Sequence, residues 1–112
     1  MISKKYQWHK VTDGEDGIEA SENKISVIQV GNKKICLTKY QEQWFGFSYT
    51  CPHAGGILAG GYIDKNGNVA CPLHGYKFSL KNGRNTSGEG FYMTTFPVEI
   101  RPDGVYVGIE ES

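Results

Sequence analysis

Two short boxes limit this chain more than anything else in it: Cys51-Pro52-His53-Ala54-Gly55-Gly56 and Cys71-Pro72-Leu73-His74-Gly75-Tyr76. Each pairs one thiol with one imidazole, as Cys-x-His and then, after seventeen intervening residues, Cys-x-x-His. Pro after each Cys fixes φ, and Gly lets the backbone approach closely, so each box reads as a stiff loop presenting ligands. Two such loops side by side make a pocket with two sulfur and two nitrogen donors. That donor set suits a tetrahedral zinc or an iron–sulfur centre. A Cys2His2 zinc finger puts both Cys in one knuckle and both His on a helix. Here each box holds one of each and no helical pattern follows. A 2Fe–2S cluster lying across the gap between the loops accounts for the mixed arrangement.

The rest of the chain reads as strands. Aromatic and β-branched residues fall in short runs broken by Gly, Asn, Asp and Pro, the pattern of an all-β domain. Strands are expected at Tyr6–Thr12, Ile25–Val30, Lys34–Tyr40, Trp44–Tyr49, Val69–Ala70, Tyr76–Leu80, Thr95–Arg101 and Val105–Ile109. Ile35/Leu37, Phe45/Phe47 and Val105/Val107/Ile109 alternate at period two and mark core faces. Asn66-Gly67 and Asn82-Gly83 predict type I′ turns. Gln41-Glu42-Gln43 and Pro102-Asp103-Gly104 close two further hairpins. Pro97 inside a strand pattern marks an edge or a bulge. The acidic run Asp13–Glu22 reads as a solvated loop, with a docking surface as the sharper reading.

Charge and length exclude several functions. The 112 residues balance 12 basic against 12 acidic side chains. Such a chain has neither the field for non-specific nucleic-acid binding nor a basic tail for an anionic membrane. No apolar run approaches a membrane span, and no signal peptide is visible, so the cytoplasm is the expected compartment. Three Cys are too few for a disulfide scaffold and fit metal binding better.

The two boxes and their surroundings resemble the Rieske-type 2Fe–2S ferredoxins, the small soluble Rieske iron–sulfur proteins. The similarity runs from about Trp44 to Val107. It includes Tyr76-Lys77-Phe78-Ser79-Leu80 before an Asn-Gly turn, Phe96-Pro97-Val98 and Gly104-Val105-Tyr106-Val107. The resemblance implies a single all-β domain over residues 1–112, an antiparallel sandwich or barrel with two cluster-binding loops at one tip, about 51–58 and 71–78. It implies one 2Fe–2S cluster, with Cys51 and Cys71 on the inner iron and His53 and His74 on the outer iron. Neutral imidazole in place of thiolate favours the reduced state, so such centres lie at roughly −150 to +300 mV against about −400 mV for all-Cys clusters.

Departures from the quinol-oxidising members point to the lower end of that range. Those members carry an extra, disulfide-forming Cys in each box, where this chain has Gly56 and Leu73. They also place Ser and Tyr hydroxyls near the sulfurs, where this chain has Tyr76 and Phe78. Fewer donors leave the reduced charge less stabilised. The loop that in many members covers the cluster with a Pro corresponds to Thr86–Tyr92, which holds Gly88 and Gly90 and no Pro. Phe91 or Tyr92 is expected to supply the apolar cover.

The resemblance implies a soluble, monomeric one-electron carrier that is not itself an enzyme. Its donor would be a flavin-dependent reductase and its acceptor an oxygenase or a reductase. Two other readings stand beside it: a Rieske-like small subunit of an assimilatory nitrite reductase, and a non-redox zinc-binding module. Among the remaining residues, Cys36 reads as a small buried thiol and His9 as a strand residue without a ligand box. Trp44, Phe45 and Phe47 read as core. Pro52, Ala54, Ile57, Leu58 and Leu73 read as an apolar docking face around the loops. Lys77, Lys81 and Arg84 are candidates for steering an acidic partner if they face the loops.

Overall fold

The computed structural model describes residues 5–18, 22–52, 55–73, 75–86 and 90–110. His53, Ala54, His74 and Gly88 lie outside the described residues. The strands are β1 Tyr6–Thr12, β2 Ser26–Val30, β3 Lys33–Tyr40, β4 Gln43–Ser48, β5 Tyr62–Ile63, β6 Asn68–Ala70, β7 Lys77–Ser79, β8 Thr95–Phe96, β9 Val98–Arg101 and β10 Gly104–Glu110. All pairings are antiparallel. They form three sheets, ordered β1-β10-β9, β2-β3-β4-β8 and β5-β6-β7.

The second sheet is shared between two cores, and β3 shows why. Ile35, Cys36, Leu37 and Thr38 are all buried, so the strand is covered on both faces rather than on the one its alternation suggests. Ile35 and Leu37 pack with Phe96 and Val107 against the first sheet. Cys36 packs with Phe47, Val69, Phe78 and Leu80 against the third. Both metal-box cysteines belong to this second group. Of the expected aromatic core residues, Phe47 is fully buried, while Trp44 and Phe45 are half-buried.

Most strand bounds agree with the sequence pattern to within a residue. The expected Thr95–Arg101 strand divides at Pro97 into β8 and β9, which belong to different sheets. Pro97 has no N–H for a ladder, and its carbonyl accepts from Gly108 N–H at 2.9 Å. The two-residue β5 is too short to register as a pattern and exists by pairing with β6. Single-turn 3-10 helices at Glu15–Gly17 and Leu58–Gly60 also went unread. The first tethers the acidic run: Glu15 accepts from the Trp44 indole at 2.6 Å and pairs with Lys39 at 3.3 Å.

The turns correct the sequence reading. Gly67 and Gly83 are left-handed, but Asn66 and Asn82 are not, so neither turn is type I′. At the first, Asp64 Oδ1 accepts from Asn66 and Asn68 N–H at 2.9 and 3.0 Å. At the second, Asn82 Oδ1 accepts from Arg84 N–H at 2.9 Å. Side-chain oxygens thus organise both turns. The turn with two left-handed residues is Gln41-Glu42, φ 51° and 65°, between the paired Tyr40 and Gln43. Neither residue is a glycine, and each left-handed L-residue costs about 1 kcal/mol. Gln41→Asn/Glu42→Gly should therefore raise stability by about 1 kcal/mol in urea unfolding. The Lys39–Glu42 pair lost with it is exposed and contributes little.

Asp64 gives a pH prediction. Burial alone would raise its pKa, but the hydrogen bonds from Asn68 and Asn66, together with Lys77, outweigh it and hold the carboxyl below its usual value. A lowered folded pKa contributes stability above the unfolded pKa that is lost as pH falls through the folded value. Acid titration should weaken the native state below about pH 4, and Asp64→Asn should remove part of that sensitivity.

Candidate metal centre

Cys51 follows β4 and Cys71 follows β6, so the two boxes leave neighbouring strand ends. Each loop closes the same way. Cys51 N–H donates to the Gly56 carbonyl, and Cys71 N–H to the Tyr76 carbonyl, both at 2.7 Å. The fifth residue of each loop is a left-handed glycine, Gly55 at φ 68° and Gly75 at φ 69°. A side chain there would be strained, which is what the Gly in each box supplies. Aligned on this closure, the sequence places His53 third in its loop and His74 fourth.

The loops meet through their cysteines. Cys51 and Cys71 are 2% and 1% exposed. Burial raises the Cys71 thiol, the Leu73 N–H at its sulfur pulls it back, and its hydrogen bond with the Cys51 thiol raises it further. Gly56 is the contact point: a Cβ there would stand 3.0 Å from Cys71 Sγ and 3.1 Å from Leu73 Cβ. The two positions at which quinol-oxidising Rieske subunits carry bridging cysteines are thus neighbours here, occupied by residues that form no bond. All three cysteines are free thiols.

This arrangement fits an iron–sulfur centre. Two soft donors adjoin in a water-excluded place, where ionising both without a cation would be costly. A metal supplies that charge, and thiolate is the ligand iron–sulfur clusters take. Cys36 is different. It lies in the same core opposite Phe47, and burial pushes its thiol up to about 12, so it is a neutral packing group. His9 pairs opposite Val107 in a different sheet from the cysteines.

Other expected site residues divide. Pro52, Ile57, Pro72 and Leu73 are exposed around the loops. Leu58, expected on the same apolar face, is fully buried, because its N–H donates to the Tyr49 carbonyl at 2.8 Å and its side chain enters the core beneath the loops. Lys77 pairs with Asp64 at 3.4 Å. Lys81 follows Leu80, whose N–H bonds to the Gly67 carbonyl at the end of the third sheet away from residues 71–76. Lys77 is thus an ion-paired base at the foot of the second loop, and Lys81 lies away from it. Phe91 and Tyr92 are 39% and 65% exposed. The sequence reading missed the matched closure, although the equal spacing Cys51-to-Gly55 and Cys71-to-Gly75 was its signal.

An antiparallel β-fold carrying two matched loops with a buried cysteine pair defines an iron–sulfur protein of the two-loop kind. The Rieske [2Fe-2S] domain profile matches residues 7–95. The chain therefore belongs to the Rieske [2Fe-2S] domain family and takes a Rieske-type 2Fe–2S cluster. It is similar to the ferredoxin component of the alkene monooxygenase system of Xanthobacter autotrophicus, 24% identical over 80% of this chain and 73% of that protein. It is 34% identical, over 69% of its length, to a segment making up 8% of the nitrite reductase [NAD(P)H] of Emericella nidulans. The fold resembles a chain in the complex of reduced oxygenase and oxidized ferredoxin of carbazole 1,9a-dioxygenase, with a TM-score of 0.73, 26% identity and coverage of 89% of this chain and 91% of that one. Among the described residues no helix is long and apolar enough to cross a membrane.

The Gly56 contact is testable. Gly56→Ala should lower iron and acid-labile sulfide per chain by pressing on Cys71. Gly60→Ala should leave them unchanged, because a Cβ there meets only Pro72 at an ordinary 3.9 Å.

Proposed function

We propose that this chain is a ferredoxin that passes single electrons to an oxygenase, with Cys51, His53, Cys71 and His74 holding its cluster. The observation that carries the reading is the buried contact between Cys51 and Cys71, brought together by two loops of identical closure. When bound, the cluster supplies a one-electron store. The chain's own residues do the rest. Leu58, Val69 and Phe78 keep water from beneath the loops. Pro52, Ile57, Pro72 and Leu73 give an apolar rim suited to brief contact with a partner. In sequence, His53 and His74 stand among these rim residues, as expected for ligands beside the electron's exit.

The same reading extends to the system around it. The donor is a flavin-dependent reductase, the compartment the cytoplasm, and the chain a monomeric component that is not itself an enzyme. The whole of residues 1–112 acts as one electron-transfer unit. The potential lies in the lower part of the family range. Gly56 and Leu73 cannot form a bridge, and Phe78, buried without a hydroxyl, donates nothing to sulfur. A second reading, a subunit bound within a nitrite reductase, draws on the match to a nitrite reductase segment. It predicts a large catalytic partner that stays with the chain through purification.

The purified protein should contain two iron and two sulfide per chain, absorb visible light and accept one electron per chain. Cys51→Ser, His53→Ala, Cys71→Ser and His74→Ala should each abolish or sharply reduce that content. Cys36→Ser and His9→Ala should not. A colourless protein holding zinc and taking up no electron would overturn the proposal.

A further inference from the structure

A groove of about 280 Å³ opens where β4 runs into the first cysteine loop, and it is lined by Lys33, Lys34, Ser48, Tyr49, Thr50, Thr94 and Phe96. Its two cations come from the start of β3, and successive strand residues point to opposite faces. Lys33 Nζ stands 5.7 Å from the Phe96 ring centre and Lys34 Nζ 5.1 Å from that of Tyr49. Each ammonium is held over an aromatic face at the end of the middle sheet, at the same mouth. Three side-chain hydroxyls besides that of Tyr49 line the groove, and no Asp or Glu among the described residues does.

The groove is continuous with the loop rim. Thr50 forms a bridge with Ile57, which is 41% exposed, and the adjacent Gly56 abuts Leu73, also 41% exposed. Four bases, Lys10, Lys39, Lys77 and Arg101, sit in ion pairs. Lys33 and Lys34 form no ion pair among the described residues. Formal net charge is zero, so any charge steering at the loops comes from local groups rather than from the molecule's overall charge.

We propose that Lys33 and Lys34 form the charged half of the docking face, which receives a redox partner whose contact surface carries carboxylates. The inference rests on the electron-carrier reading and adds the partner's sign and the side from which it approaches. The apolar rim excludes water at the centre. The lysines draw the acidic surface in from the β2–β3 side, and the hydroxyls of Ser48, Thr50 and Thr94 offer hydrogen bonds to its carboxylates. Such steering raises the association rate more than the affinity.

The test uses the intact, cluster-loaded protein and two small oxidants of opposite charge, ferricyanide and hexaammineruthenium(III), in stopped flow. Each takes one electron from the reduced protein, becoming ferrocyanide or hexaammineruthenium(II). Attraction makes the ferricyanide rate fall, by about tenfold, as ionic strength rises from ~0.01 to ~0.5 M, while the ruthenium rate rises. Lys33→Glu/Lys34→Glu should reverse both slopes. Lys65→Glu/Lys81→Glu, the same charge change at the far end of the third sheet, should leave their signs intact. A hexaglutamate peptide, standing in for an acidic surface, should slow the ferricyanide reaction of the wild type and not that of the Lys33/Lys34 variant.

Salt slopes of equal sign for the two oxidants would overturn the docking inference while leaving the electron carrier standing. So would identical behaviour of the two double variants. A protein that neither oxidant can discharge, because it takes up no electron, would overturn the carrier reading and this inference with it.

Discussion

Everything in this molecule is arranged around one requirement: two sulfurs from strand ends twenty residues apart in sequence must be held in contact away from water. Thiols in a dry interior gain nothing from proximity alone, since burial and each other's company disfavour their charged forms. The contact persists because backbone geometry imposes it. One hydrogen bond per loop, from the cysteine N–H to the carbonyl five residues on, closes each loop. The two closures bring the sulfurs together where a cluster would supply the balancing charge.

The middle sheet gives that geometry its rigidity. Because β3 and β4 are covered on both faces, the strand leading to Cys51 cannot shift without disturbing two cores at once. Gly46 shows how closely the layers fit: a Cβ there would meet the Phe96 carbonyl oxygen at 2.8 Å. Below the loops, Leu58, Val69 and Phe78 close the floor, and above them Pro52, Ile57, Pro72 and Leu73 remain exposed. The same short loops thus have a dry inner side that stabilises a cluster and an outer side available for contact. An electron carrier needs both within a few residues of each other.

The cysteine pair that the structure brings together was legible because thiols are scarce and each stands in a tight Cys-Pro box. Strand positions were legible from short β-branched and aromatic runs between turn residues, with alternation clearest at Val105/Val107/Ile109 in β10. What escaped were features set by partners distant in sequence. β5 exists only through β6. Leu58 reads as a surface apolar residue until the Leu58–Gly60 turn directs it inward. The Asn-Gly pairs carried the expected turn chemistry, but Asp64 and the Asn82 side chain claimed the amides and changed the turn type. Lys77 and Lys81 stand close to a metal box in sequence, whereas Lys33 and Lys34, far from both boxes along the chain, line a groove with Ser48, Tyr49 and Thr50 ahead of the first.

The central claim is that two loops supply unlike ligands to two irons: sulfur from Cys51 and Cys71, nitrogen from His53 and His74. Mössbauer spectroscopy of the oxidised protein, grown on isotopically enriched iron, tests it directly, because the isomer shift senses donor type. The account predicts two quadrupole doublets of equal area and different shift, one for each kind of iron. A single doublet, from two irons with the same ligands, would contradict it.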